Sequence, residues 1–253
     1  RSTTAVAAEN PAEVFDRVME KNNTIQSAEI QSGVHSVILA KDVIPDGQMK
    51  VDMAMHAEMD MQDTTDLKYL AQVASSILGQ DSYSQVFYTD GYYYVDANGV
   101  KLKYPMPLGQ IISSVQTGVN TSNMESSYMK GISLNEVNGK RVLAYEANPK
   151  KLNKNVKEAL GTVMNTLGTD VNLDMNIQEM KGAYVLDDND YIIYMTNYIV
   201  YNMEVLDQPM TCITLMETEV QNPGEPVVVT LPSTDGYEDL IGLYDGVIES
   251  EVE

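Results

Sequence analysis

The sequence predicts one α+β domain, a curved antiparallel sheet of about ten strands with helices gathered on one face. Three observations predict it. Long stretches alternate apolar and polar residues with period two, as strands with one wet face do. The clearest puts Met49, Val51, Met53, Met55, Ala57, Met59 and Met61 on one side and Lys50, Asp52, Ala54, His56, Glu58, Asp60 and Gln62 on the other. Asp90-Gly91, Asn98-Gly99 and Asn138-Gly139 stand between such stretches, where tight hairpin turns need residues that tolerate positive φ. Few segments carry helical spacing, and long alternating strands with few helices fit a sheet whose helices cover one face.

Residues 1–9 read as a flexible lead left by a removed signal or anchor segment, since the chain opens on Arg1 and the polar run RSTTAVAAEN. Asn10-Pro11-Ala12-Glu13 is a helix start, with Asn as N-cap and Pro at the first helical position. Val14, Phe15, Val18 and Met19 form the apolar stripe of a helix over residues 11–22. Thr24 to Lys41 is a long strand, turned at Pro45-Asp46-Gly47 into the methionine strand. Leu67, Leu70, Val73, Ala74, Ile77 and Leu78 have helical spacing, which predicts a helix from Thr65 or Asp66 through Leu78 with Gly79 as C-cap. Strands follow over Tyr83–Thr89, Tyr92–Val95 and Val100–Tyr104, and Pro105 and Pro107 open a helix through Thr117. Met129–Val137 and Arg141–Ala147 form the next hairpin. Asn148-Pro149 starts a helix over residues 149–167, with Leu152, Val156, Leu160, Val163, Met164 and Leu167 on one face. Apolar residues alternate from Val171 to Ile177 and then shift phase to Met180, which predicts a β-bulge or bend near Glu179. Tyr191–Leu206, Met210–Val220 and a last strand, Val227–Leu231, complete the sheet. Residues 10–233 thus form a single domain, and residues 234–253 an acidic C-terminal extension with marginal helical spacing.

The chain has 253 residues and a formal net charge of -21, with 37 acidic and 16 basic side chains. That balance repels nucleic acid and anionic bilayers, and its simplest consequence is solubility. Cys212 is the single cysteine, so no internal disulfide forms. No run is long and apolar enough to span a bilayer as a helix.

The order of weak motifs resembles the LolA/LppX-like superfamily, in particular its Gram-positive surface lipoprotein branch. The opening NPAEVFDRVMEKNNTIQSAEIQSGVHSVIL is similar to the first helix leading into the first long strand. KVDMAMHAEMDMQ is similar to the second strand, VFYTDGYYYVDANGVKLKY to the tyrosine hairpin and the strand after it, and YVLDDNDYIIYMTNYIVYNMEV to the late hairpin with its acidic turn. VVVTLPS resembles the closing strand. The resemblance covers roughly residues 10 to 233. It implies an unclosed barrel wrapped around a few helices, with an apolar cavity that holds lipid acyl chains in better-understood members. It also implies lipid anchoring at the extracellular face of the cell membrane, with membrane contact through that anchor alone.

The methionine face is therefore either a lipid-lining wall or ordinary core, since Met adapts to irregular partners in both settings. The cavity candidates are Met49, Val51, Met53, Met55, Met59 and Met61 from the methionine strand. Val156, Leu160 and Met164 join them from the second helix, and Met175 and Ile177 from the strand after it. A copper site at Met53, Met55, Met59 and Met61 is opposed by strand geometry, which turns His56 away and separates the sulfurs. Asp187-Asp188-Asn189-Asp190 fits a turn better than a calcium loop, whose spacing and closing Glu are missing. No metal and no cofactor is expected.

Catalysis finds no motif: there is no nucleophile elbow, no zincin helix and no phosphate loop. His35 and His56, the only histidines, lie on polar strand faces, and Cys212 lies in an apolar strand. The tyrosines at 92, 93, 94, 191, 194, 198 and 201 fit cross-strand packing better than an exposed binding patch. The expected function is non-catalytic binding of a hydrophobic ligand such as a lipid. The alternatives are a surface interaction module with a filled core and no ligand, or a hydrolase with an unrecognised acidic site.

Overall fold

The computed structural model describes residues 3–5, 9–111, 124–155 and 175–242. The first long hairpin organises them. β2 (Ser27–Leu39) and β3 (Gln48–Asp60) pair antiparallel over their whole length, from Ser27 opposite Asp60 to Leu39 opposite Gln48. The turn between them is a short 3-10 segment, Pro45–Gly47, in which Asp46 and Gly47 take positive φ.

Around this hairpin the sheet grows in both directions. On one side β4 (Lys68–Ile77), β5 (Gln80–Thr89), β6 (Tyr92–Ala97) and β7 (Val100–Pro105) follow as a meander. On the other side lie β12 (Gln208–Gln221), β11 (Ile192–Val205), β10 (Met175–Leu186), β9 (Lys140–Ala147) and β8 (Met129–Val137), in that spatial order. β1 (Thr3–Ala5) closes the far edge beside β8, and β13 (Glu238–Asp239) the near edge beside β7. The result is a sheet of 13 described strands that is not closed into a barrel. Every pairing is antiparallel except that of β13 with β7.

Turn chemistry sets the hairpins. Asp90-Gly91, Asn98-Gly99 and Asn138-Gly139 all have positive φ at both positions, as two-residue turns that match strand twist require. Leu78-Gly79 and Leu206-Asp207 adopt the same geometry with an unfavoured leucine at the first position. The phase shift in β10 is a register break against β11 between Ile177 and Glu179, where the sequence placed a bulge.

Five expectations change. The segment read as a helix through Leu78 is β4. The start of the strand is covered on both faces, with Leu70 packing outward against Phe87, Tyr94 and Val229 and Tyr69 facing inward beside Met59, while Ala74 and Ile77 further along are exposed, so its apolar residues follow no single face. Residues 227–231 form no ladder. They lie as a strap over the outer face, where Asp60 Oδ2 accepts the Val227 N–H at 2.9 Å and Glu58 Oε2 accepts the Thr230 N–H at 3.0 Å. The domain does not stop at 233, because the Tyr237 ring packs edge-on against Phe87 (5.7 Å) and Tyr94 (5.1 Å) and β13 follows it. The lead is not wholly free, since Thr3–Ala5 pairs with Asn135–Val137. The third helix starts at 108 rather than at Pro105, which ends β7; residues 108–111 and 149–155 are helical, and the remainder of those two expected helices lies outside the described residues.

α1 (Pro11–Asn23) crosses the inner face. Asn10 Oδ1 accepts the Ala12 N–H at 3.0 Å, and Pro11 fills the first position, where a missing N–H costs nothing. Val14, Phe15, Val18 and Met19 are buried against β8, β9 and β10. Phe15 meets the Tyr145 and Tyr184 rings edge-on at 6.1 and 6.2 Å, and those two stack at 5.5 Å. Edge-to-face pairs of this kind add about 0.5–1.5 kcal/mol beyond area burial.

The acidic turn after β10 ties down the other end of the helix. Asp190 bonds Arg17 Nε at 2.8 Å and Arg141 Nη2 at 2.8 Å. Asn22 donates to Asp190 O at 2.9 Å and accepts the Ile192 N–H at 2.9 Å. Burial pushes the Asp190 carboxyl up, but the two arginines together hold it below the usual carboxylate range. Asp187 Oδ1 accepts the N–H groups of Asn189 and Tyr191, so this turn is spent on its own backbone and on arginines.

Candidate functional site

α1 touches the sheet along β8–β10 and stands off from the central strands beyond them. The space left is a cavity of about 570 Å³ between α1 and the inner faces of β10, β11, β12, β2 and β3. Met19 and Ile25 wall it from the helix side, and Met180, Met195, Ile199, Met216 and Ile30 from the sheet. The register explains the grouping. Ile30 lies opposite Val220 on β12 and Ala57 on β3, Thr218 lies opposite Met195, and Ile199 opposite Met180. Residues opposite one another share a face, so separate strands contribute one continuous apolar wall.

Polar side chains that reach the cavity are already partnered. Tyr145 donates its hydroxyl to Asn197 Oδ1, and Ser32 Oγ and Thr218 Oγ1 lie 2.8 Å apart. Asn22 is bonded at both its oxygen and its nitrogen. Burial pushes the Tyr145 phenol well up and the Tyr184 phenol up to about 12, so both stay neutral. What the cavity offers a guest is thus apolar contact; a more open recess of about 770 Å³ adjoins it, sharing Met19, Asn23 and Met124 and carrying Asp16, Glu20 and Glu125.

Of the residues singled out in the sequence, Met59 and Ile177 line the cavity. Met61 is not among the described lining but is buried in a cluster with Met59, Leu67, Tyr88, Met106 and Ile111, which Met59 joins to the cavity wall. Met49, Val51, Met53 and Met55 share the face of Met59 but lie further toward the Pro45–Gly47 turn, opposite Ile38, Ser36, Val34 and Ser32. The cavity's β2 residues are Ala28 and Ile30, at the other end of the hairpin, so these four and Met175 are not among the described lining. Met53 is 39% exposed. Val156, Leu160 and Met164 lie outside the described residues.

Among the lining residues missed are Met180, Met195, Ile199 and Met216. Each carries the period-two signal, but nothing in that signal distinguishes a residue facing a void from one facing a helix. The tyrosines mostly pack: Tyr94 stacks on Phe87 at 4.6 Å and Tyr93 tilts against Tyr104 at 5.3 Å, while Tyr194 is 38% exposed. Cys212 is buried.

Fold and cavity define a class: open antiparallel sheets that hold a helix against one face and enclose an apolar space beneath it. The chain belongs to the family described as "Family of unknown function (DUF6612)", whose profile matches residues 10–232. A comparison with curated proteins finds no match. Among solved structures, the crystal structure of LprF from Mycobacterium bovis is similar at 10% identity, covering 88% of this chain and 97% of that one with a TM-score of 0.36. The ywiB protein from Bacillus subtilis is 10% identical over 80% of this chain and 99% of its own, with a TM-score of 0.22. A beta-barrel-like protein of the DUF1849 domain from Brucella abortus is 10% identical over 77% and 98%, with a TM-score of 0.24. These likenesses are too distant to carry an argument about function, and the architecture rests on the chain's own strand pairing. No helix among the described residues is long and apolar enough to cross a membrane.

Proposed function

We propose that this protein is a non-catalytic binder of a hydrophobic ligand, with one lipid acyl chain as the type of guest, and that it is a LolA/LppX-like protein. One observation carries the reading: an apolar cavity of about 570 Å³ whose polar neighbours are already hydrogen-bonded. That volume lies within the usual range for small-molecule pockets, about 300–1,000 Å³. At about 30 Å³ for each water- or methylene-sized group, it has room for about nineteen such groups, close to one long acyl chain. A completely packed interior, the alternative expected from the sequence, would leave no such space.

Lipid anchoring at the extracellular face of the membrane completes the proposal and rests on the resemblance of the sequence. The test is native mass spectrometry of protein taken from its own host, followed by organic extraction. A co-purifying lipid at one per chain is the expected result. Protein that carries no lipid and takes up none from a monoacylglycerol series would overturn the reading. Labelling of the host protein with a radioactive fatty acid tests the anchor separately.

A further inference from the structure

The outer face of the β2–β3 hairpin carries a side-chain cluster on the opposite side of the sheet from the cavity. Glu29 and Glu58 are direct partners across the ladder, and Gln31 and His56 are the neighbouring pair on the same face. His56 Nε2 lies 3.2 Å from Glu58 Oε1 and 3.9 Å from Glu29 Oε1. One ligand atom from each of the three lies within 4.8 Å of the other two, the one such grouping of His, Cys, Asp and Glu among the described residues.

Two observations set this cluster apart from ordinary surface acidity. Like charges directly opposite in an antiparallel pair are destabilising, yet among the described residues the only ion-pair partner of Glu29 and of Glu58 is His56. An imidazole brings at most one positive charge, so the three groups together stay net negative in either protonation state. The ligand atoms are also held from behind. Glu58 Oε2 accepts the Thr230 N–H of the strap at 3.0 Å, which leaves Oε1 aimed at His56, and the Gln31 amide nitrogen lies against His56 Nδ1; with a cation on Nε2 the imidazole proton sits on Nδ1, and the Gln31 amide turns its oxygen to accept it. Contacts of this kind orient metal ligands and fix the imidazole tautomer.

We propose that Glu29, His56 and Glu58 form a binding site for a zinc-class divalent cation, held by His56 Nε2 and one oxygen of each carboxylate. Two carboxylates and a neutral imidazole balance a divalent charge. The nitrogen ligand favours a borderline transition ion over calcium or magnesium, which take oxygen. Three protein ligands leave a fourth position for water, and the side chains are 22%, 32% and 15% exposed for His56, Glu29 and Glu58, so solvent reaches them. His35 provides the contrast. Its two carboxylates sit at opposite ring nitrogens, Asp52 at Nδ1 (2.8 Å) and Glu217 at Nε2 (3.6 Å), and so cannot share one ion with it.

The test is titration calorimetry of Zn²⁺ into the whole chain at neutral pH, with circular dichroism to establish that each variant is folded. One ion per chain is expected. His56→Gln and Glu29→Gln each weaken binding about 100-fold or more, given that even outer contacts are worth about 10–100-fold, while His35→Gln leaves it unchanged. Should one variant fail to fold, the other carries the same test. Absence of stoichiometric binding, several weak ions insensitive to His56→Gln, or equal loss in His35→Gln would each overturn the proposal.

Discussion

Met216→Trp is the sharpest test of the cavity. Met216 is half-buried on β12, opposite Asn197 on β11 and Val34 on β2, and lines the cavity of about 570 Å³. Trp is larger than Met by about two methylene equivalents, so a ring directed inward displaces about two such groups of a guest. At about 0.8 kcal/mol per buried methylene, the longest chain that fits loses about 1.6 kcal/mol, or about 15-fold in affinity. The assay is competition by monoacylglycerols of increasing chain length against a fluorescent fatty probe. Their neutral headgroups keep the protein's net charge of -21 out of the comparison. The wild type is expected to gain affinity with chain length up to a plateau, and the variant to reach its plateau about two carbons earlier. An unshifted plateau in a variant with wild-type urea stability would refute the assignment of this space as the binding site.

Three further outcomes test the structure. A Cβ at position 182 would sit 2.2 Å from the Thr196 carbonyl oxygen and 2.9 Å from Asn197 Oδ1; Gly182→Ala must part β10 from β11 and is expected to cost roughly 3 kcal/mol by urea denaturation. The Ser27 hydroxyl is fully buried and has no hydrogen-bond partner among the described residues, so Ser27→Ala is expected to raise stability by about 1 kcal/mol, measured the same way. The hydrogen bond that His35 donates to the Asp52 carboxylate raises the His35 pKa above its ordinary value. A raised folded-state value means that the pair's contribution to stability is fully present below about pH 6.5 and is lost as pH rises through the folded pKa. NMR titration of His35 should show the raised value, and Asp52→Asn should bring it down; an unchanged titration in that variant would remove the pair as its cause.

Much of the sheet was legible because its signals are local. The Asn10-Pro11 cap, the Asp-Gly and Asn-Gly turns and the phase shift at Ile177–Met180 each act within a few residues, and each appears where the sequence places it. β4 was misread for a physical reason. Its outer face at Leu70 is covered by Val229 of the strap and by the cluster that Tyr237 joins beyond it, both more than 150 residues away in sequence. Burial on both faces at Leu70 and Ala71, with exposed apolar residues at Ala74 and Ile77, erases period-two alternation and leaves a pattern that also fits a helix. Leu78-Gly79 then looked like a helix end, although its two positive φ values make it a hairpin turn.

The cavity was legible only as a face. Alternation assigned Met49 to Met61 to one side of a strand, and the pairing with Ala28 to Ile38 keeps them there. Where on that face the helix stands off depends on how Phe15 seats against Tyr145 and Tyr184 and on how Asp190 gathers Arg17 and Arg141. These contacts join residues far apart in the chain, and they bring Met59 into the cavity while Met53 stays outside it. The same holds for His56: the sequence turned it away from the methionines, and only the register of β2 on β3 set Glu29 beside it. The sequence alone determined strand direction, turn geometry and the apolar side of each strand, because backbone sterics and side-chain period act over a few residues. Tertiary structure alone decided what covers each face and where space remains, because packing joins surfaces whose positions no local pattern records.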